Sequence, residues 1–284
     1  MIKKLLFGIV LLIVCSSTFS QKVDHVSELG KFSNESWSKE KINNSITWYT
    51  LRNNKFIDDL QRISVLKIDL KKNRYGVSVV YSDSTRILLS EMAENHNAMA
   101  AINGTFFNMK KGGAVVFLKV NNQVVTSPNP ESKAFIREAA LAVGDSVTIS
   151  AFPKNNWKKW HTNYEDIMVS GPVLVTRGKL IEPDSVSFNL TKHPRSAIGI
   201  TNDYEMLFVT ADGRHKNRAN GLTIKELGIL MKALNCKDAM NLDGGGSTTL
   251  WLKKKGVINY PSDNKIFDHE GARAIANGII ISKN

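Results

Sequence analysis

The sequence predicts an α+β fold, a single domain of mixed and antiparallel β-sheets with a few packed helices, and three observations carry that expectation. Short runs rich in β-branched and aromatic residues, bounded by turn dipeptides, far outnumber stretches with helical periodicity. Only one long stretch, 223–234, carries an apolar stripe at helical spacing. No internal repeat and no low-complexity linker divides the body of the 284-residue chain.

Residues 1–20 read as a signal peptide: Lys3 and Lys4, an apolar run over 5–14 too short to span a bilayer comfortably, then small polar residues to Ser20. Export to the periplasm, the cell surface or the medium is therefore expected, with no transmembrane segment in the mature form. Cys15 follows the bulky Val14, a poor context for lipidation, and a lipid anchor there is the alternative. Of the two cysteines only Cys236 survives such cleavage, so no intrachain disulfide is available and burial must supply stability. The formal charge of +12 becomes +10 without Lys3 and Lys4 (12 − 2). A basic exported protein suits anionic polymers, membranes or phosphorylated glycans; a nucleic-acid partner is not expected.

Residues 21–60 are polar, with Trp37 and Trp48 but little periodicity, and read as a loosely structured lead-in packing on a main body, 61–284. Runs at 64–69 and 75–81, joined through Lys71-Lys72-Asn73-Arg74, suggest a hairpin with a basic turn. A short helix is expected over 89–96 with Ser90 as its N-cap. Strands are expected at 98–102, 114–120, 124–126, 139–143 and 147–151, and then at 169–175, interrupted by Gly171-Pro172 as a bulge or bend. A hairpin over 195–201 and 206–210 turns through Asn202-Asp203. Thr223-Ile224-Lys225-Glu226 is a capping box that opens the long helix. Strands at 239–242, 248–252 and 274–281 close the chain.

The chemistry concentrates at the ends of these runs. Asn241-Leu242-Asp243-Gly244-Gly245-Gly246-Ser247-Thr248-Thr249 places a carboxylate beside three glycines, whose bare backbone could form a nest of N–H donors for an anionic oxygen. Asn103-Gly104, His193-Pro194-Arg195, Ala211-Asp212-Gly213-Arg214 and Gly271-Ala272-Arg273 end or open other runs. Any of them could be ordinary turn chemistry. Together they offer two carboxylates (Asp212, Asp243) and several guanidiniums (Arg195, Arg218, Arg273), which suit sugar-carbon hydrolysis and bidentate phosphate contact. The glycine run is no P-loop, since it lacks the lysine and the following helix. No zinc spacing and no nucleophile elbow is present. No cofactor is required; a divalent cation near Asp212 and Asp243 is conceivable, although no ligand spacing demands one.

Asn103-Gly104-Thr105-Phe106-Phe107, Ser170-Gly171-Pro172, Arg195-Ser196-Ala197-Ile198-Gly199, Ala211-Asp212-Gly213 and Asp243-Gly244-Gly245-Gly246-Ser247-Thr248 resemble, in that order, the motifs of the phosphodiester glycosidase family over roughly 95–282. Thr105 stands where the family's animal enzyme has a second glycine. The resemblance implies hydrolysis of the glycosidic bond of a sugar-1-phosphodiester, with a phosphorylated glycan or sugar phosphate as substrate. Asp243 is then expected as nucleophile or base and Asp212 as the second carboxylate. Arg195, with Arg218 or Arg273, and the backbone of Gly244, Gly245, Gly246 and Ser247 would hold the phosphate. Asn103 and Thr248 would orient hydroxyls, and Ser170 and Gly171 fall in the substrate-binding set. The rivals are a non-catalytic binder of anionic glycans and a phosphodiesterase that cleaves the P–O bond.

Overall fold

A computed structural model of the chain describes residues 37–283 apart from 57, 58, 73, 74 and 84. The expected signal peptide, with Lys3, Lys4 and Cys15, and the first part of the lead-in lie outside the described residues.

The strands are β1 (Ser38–Lys41), β2 (Ile46–Phe56), β3 (Asp59–Asp69), β4 (Tyr75–Tyr81), β5 (Ala100–Asn103), β6 (Leu118–Val120), β7 (Gln123–Thr126), β8 (Ala139–Val143) and β9 (Val147–Ala151). They continue as β10 (Asp166–Ser170), β11 (Val173–Thr176), β12 (Lys179–Leu180), β13 (Arg195–Thr201), β14 (Glu205–Ala211), β15 (Cys236–Asn241), β16 (Leu250–Leu252), β17 (Gly256–Val257) and β18 (Asn277–Lys283). The helices are short: α1 (Leu89–Asn95), α2 (Trp157–Trp160), α3 (Ser187–Leu190) and α4 (Ile224–Ala233). Three sheets result, ordered β1-β2-β3-β14-β13-β15-β11-β12, β7-β6-β10-β8-β9 and β17-β16-β5-β18-β4. The ladders among the described strands are all antiparallel.

Period-2 alternation decides which face meets which layer. Ile198, Ile200, Phe208, Met240 and Leu242 of the long sheet turn inward to one cluster shared with Ile102 and Ile279 of the second five-stranded sheet and Met168 and Leu141 of the first. Their neighbours in sequence, Ala197, Val209 and Ala239, point outward and are covered by Leu227, Leu230 and Met231 of α4. Helix α1 covers the outer face of the β16/β5/β18/β4 sheet in the same way. Each large side chain buried in these layers contributes about 1.5–3 kcal/mol.

The capping box forms as the sequence predicts: Thr223 accepts from the Glu226 amide while Glu226 accepts from the Thr223 amide. Four expectations are corrected. Residues 38–56, read as a loose lead-in, are two strands of the long sheet. The runs at 64–69 and 75–81 are not a hairpin, because β3 pairs with β2 and β14 whereas β4 pairs with β18. The run at 169–175 is not one bulged strand either; the cis Gly171-Pro172 bond carries the chain from one sheet to another. Helix α1 is preceded by Leu88, with no side-chain cap, in place of Ser90.

Candidate active site

Three strand ends of the long sheet meet two of the neighbouring sheet. Arg195 begins β13 opposite Ala211, and Asp212 follows β14; Asn241 ends β15, and Asp243 follows two residues later. Asn103 ends β5, and Leu250 begins β16 across from Ile102. The glycine bend therefore bridges two layers, from β15 to β16.

Asn103 is the joint between them. It is 1% exposed. Its Nδ2 donates to the Asp243 carbonyl (2.7 Å), and its Oδ1 accepts from Ser196 Oγ (2.6 Å) and from the Thr249 amide (3.1 Å). Asn259 makes a second joint. Its Nδ2 donates both to Asp212 Oδ1 (3.0 Å) and to the Thr248 carbonyl (3.1 Å), while its Oδ1 accepts from the Leu250 amide.

The three glycines are required chiefly by crowding. A Cβ on Gly244 would lie 2.7 Å from the Pro194 carbonyl. On Gly245, whose φ is +63°, it would lie 2.8 Å from Arg214 Nη2. On Gly246 it would meet the Asp263 carboxylate and Arg273 Nη2. Two guanidiniums thus lie directly on the bare backbone. Arg273 is ion-paired with Asp263 and donates its amide to the Gly246 carbonyl. Arg214 is exposed, and among the described residues no hydrogen bond or ion pair ties its guanidinium to the protein.

Asp243 remains partly open at this bend, as do Gly244 and Gly245, while Gly246 to Thr249 are buried. Burial raises the Asp243 carboxyl above the usual carboxylate range; the Ser247 hydroxyl, the Gly244 amide (3.0 Å) and the charge of Arg273 pull it partly back. Ser247 Oγ stands near that carboxyl without an aligned partner. Asp212, at 1% exposure, is deeper. Its Oδ1 accepts from Asn259 and from the Tyr260 amide (2.9 Å), and its Oδ2 has no partner. Burial pushes it up to about 7, against the pull of those two bonds and of Arg62. The two carboxylate-bearing chains follow β14 and β15, with β13 between them, so their backbones stand about 10 Å apart.

The raised Asp212 value fixes the sign of a stability effect. Between pH 3.8, the ordinary value, and about 7 the folded form holds a proton that the unfolded form has released. Stability falls as pH rises through that window. Asp212→Asn keeps the acceptor for Asn259 and Tyr260 and removes the charge. Chemical denaturation should find the variant more stable than wild type at pH 8, by up to about 4 kcal/mol, with the difference vanishing near pH 4. A difference independent of pH would contradict a buried, proton-holding Asp212.

The phosphodiester glycosidase profile matches residues 96–282. The chain belongs to the phosphodiester glycosidase family. An N-acetylglucosamine-1-phosphodiester alpha-N-acetylglucosaminidase of Mus musculus is 24% identical over 190 residues, 63% of this chain and 36% of that protein. The SPbeta prophage-derived uncharacterized protein YomE of Bacillus subtilis (strain 168) is 23% identical over 247 residues, 74% of this chain and 36% of that one. The aligned region thus amounts to 36% of each curated relative's length. The zebrafish N-acetylglucosamine-1-phosphodiester alpha-N-acetylglucosaminidase catalytic domain, auto-inhibited by its pro-peptide, superimposes with a TM-score of 0.67 at 17% identity, over 87% of this chain and 86% of that one. A hypothetical protein from Synechocystis gives 0.67 at 14% identity, over 88% and 64%. At these identities the likeness of the solved structures is one of fold.

Against this phosphodiester glycosidase geometry several sequence expectations change. Arg195, expected at the phosphate, is turned into the fold. It is 1% exposed; its Nε donates to the Leu222 carbonyl (2.9 Å) and its Nη2 to those of Phe188 (2.7 Å) and Thr191 (2.8 Å), with the guanidinium 4.6 Å over the Phe188 ring. It lies beneath Gly244 as a strut, and burial pushes it down to about 10. The nest of open donors is closed too. The Gly244 and Gly245 amides donate to Asp243 Oδ1 and the Pro194 carbonyl, and those of Ser247 and Thr248 donate back into the bend, leaving Gly246 N–H alone without a protein partner among the described residues. Asn103, expected to orient hydroxyls, has its amide engaged by the fold at the bend. Thr248 is fully buried. Ser170 is fully buried as well, and the Gly171 carbonyl accepts from Asn241 Nδ2 (2.8 Å), so both act below the surface. Arg218 lies 5.1 Å over the Phe267 ring.

Arg214 and Asn259 enter in their place. Arg214 stood in the Ala211-Asp212-Gly213-Arg214 turn, and its positive φ of 66° is what carries its side chain back over Gly245. Nothing in the sequence marked Asn259 as the link between Asp212 and the bend. Among the described residues no group of three or more His, Cys, Asp or Glu converges as a metal cage, and no helix is long and apolar enough to cross a membrane.

Proposed function

We propose that the chain is an exported hydrolase of sugar-1-phosphodiesters, folded as one domain over 37–283, which splits the bond between the sugar's anomeric carbon and the phosphate oxygen. One observation supports it most: a carboxyl raised above its ordinary range, Asp243, opens beside a backbone bend overlaid by the guanidiniums of Arg214 and Arg273. The Arg214 guanidinium offers bidentate donors to a diester anion, and Arg273, held by Asp263, adds a second positive charge beside it. The leaving phosphomonoester has a second pKa of about 6, so its departure needs little proton donation. What the reaction lacks is a base, and a raised carboxylate is a stronger one. Water attacks the anomeric carbon and gives its proton to Asp243. The C–O bond breaks, and its electron pair leaves on the phosphate oxygen. Asp212, being buried, acts as a positioning residue through Asn259 and Tyr260.

The mouse relative's name points to an N-acetylglucosamine-1-phosphodiester as the first substrate to offer. With the methyl diester of N-acetylglucosamine 1-phosphate the products should be free sugar and methyl phosphate. Methanol with sugar 1-phosphate would instead select phosphodiesterase chemistry, and binding without products would select a glycan-binding protein. Arg214→Ala should raise KM about tenfold or more with an unchanged melting temperature, because that exposed guanidinium holds no part of the fold. Wild-type KM in that variant would remove Arg214 from phosphate binding.

A further inference from the structure

The inner face of the long sheet carries a polar row that leads away from the bend. Ser196 is opposite Thr210, Thr210 opposite Ser64, and Ser64 opposite Thr50, all of them buried. One step nearer the strand ends, Arg52 is opposite Arg62, and the Arg62 carbonyl accepts the Asp212 amide (2.9 Å). The row reaches a cavity of about 630 Å³ whose walls include Trp48, Arg52, Arg62, Lys255, Tyr260 and Glu270. The β2 wall of this cavity stands four strand spacings, about 19 Å, from β15, while its inner wall of Arg62 and Tyr260 abuts Asp212.

The lining has a defined chemistry. Arg62 is fixed: its Nη2 donates to Tyr260 Oη (2.7 Å) and its guanidinium lies 3.9 Å over that ring. Lys255, paired with Glu40 at 2.9 Å, lies 5.5 Å over the Trp48 ring. Arg52 is exposed, and among the described residues no hydrogen bond or ion pair holds its guanidinium; the Trp48 indole N–H has no partner either. Three cations, Arg52, Arg62 and Lys255, and one carboxylate, Glu270, line the cavity. Both aromatic rings are already covered, Tyr260 by Arg62 and the stacked Phe267, and Trp48 by Lys255, so what the lining offers a ligand is cationic.

We infer that this cavity is a second binding site, for an anionic sugar unit such as a phosphorylated hexose, set at one end of the polar row whose other end is the glycine bend. It deepens the function proposed above, and rests on that reading only in making the occupant a further unit of the same substrate polymer. Arg52 and Lys255 would reach the charge.

Calorimetric titration of the full chain with mannose 6-phosphate tests this directly. Wild type and Arg214→Ala should bind it alike, saturably and salt-sensitively. The Arg52→Ala/Lys255→Ala double variant, altered at two exposed positions, should keep its melting temperature and lose affinity at least tenfold. Absence of saturable binding by wild type, equal affinity for unphosphorylated mannose, or undiminished binding by the double variant would each overturn the inference. Failure of hydrolysis with the methyl diester would count against the function proposed above and leave this binding result standing.

Discussion

Asp243→Asn is expected to abolish turnover, by about a thousandfold or more, while leaving the fold intact. Asparagine keeps an oxygen for the Gly244 amide at 3.0 Å, and the backbone carbonyl that Asn103 holds is unchanged. What disappears is the only function asked of that side chain, taking a proton from water. A base contributes about 10² to 10⁴ in rate, and a neutral amide supplies none of it. The variant should still bind the diester, because Arg214 and Arg273 remain, so kcat falls and KM stays near wild type. The melting temperature should match wild type or rise at pH above neutral, since a desolvated carboxylate has been removed. Wild-type turnover at an unchanged melting temperature would take Asp243 out of the mechanism.

Arg195→Met is expected to do the reverse, lowering stability by about 3–5 kcal/mol. The guanidinium satisfies three carbonyls in two segments of chain, the buried one of Leu222 and the part-buried ones of Phe188 and Thr191. Methionine replaces its length but leaves all three acceptors without donors, each a loss of about 1–3 kcal/mol before relaxation. In a chain of this size that corresponds to a melting temperature lower by roughly 6–20 °C. Well below that transition the folded fraction should retain a near-normal KM, in contrast to Arg214→Ala. A stable Arg195→Met protein with a greatly raised KM would restore Arg195 to the phosphate.

These opposite outcomes mark what the sequence can and cannot say about a guanidinium. Arg195-Ser196-Ala197-Ile198 alternates, so Arg195 shares a face with Ala197, the face covered by α4, while Ser196 shares one with Ile198 and the common core. Alternation is legible in the residues, but which face is covered by a helix and which opens on a site depends on layers brought together from distant segments. Arg214 is the converse. Its path over Gly245 depends on a left-handed backbone that an Asp-Gly-Arg turn permits without dictating. The capping box at Thr223 and the 195–211 hairpin were readable because their partners are a few residues apart. The sheet assignment of β3 and β4 was not, since a basic turn between two strands signals adjacency in sequence and not pairing. At the bend, three glycines were read as three open donors. The structure uses them mostly as an absence of Cβ, to let the Pro194 carbonyl and two arginines approach. Both readings start from a bare backbone; only packing separates them.

The cleavage position is the claim on which the account of the site turns. Hydrolysis of the N-acetylglucosamine 1-phosphate methyl diester in ¹⁸O-labelled water, followed by mass spectrometry of both products, reads it directly. The account predicts label on the sugar's anomeric hydroxyl and none in the methyl phosphate. Label in the phosphate-containing product, with an unlabelled sugar oxygen, would contradict it.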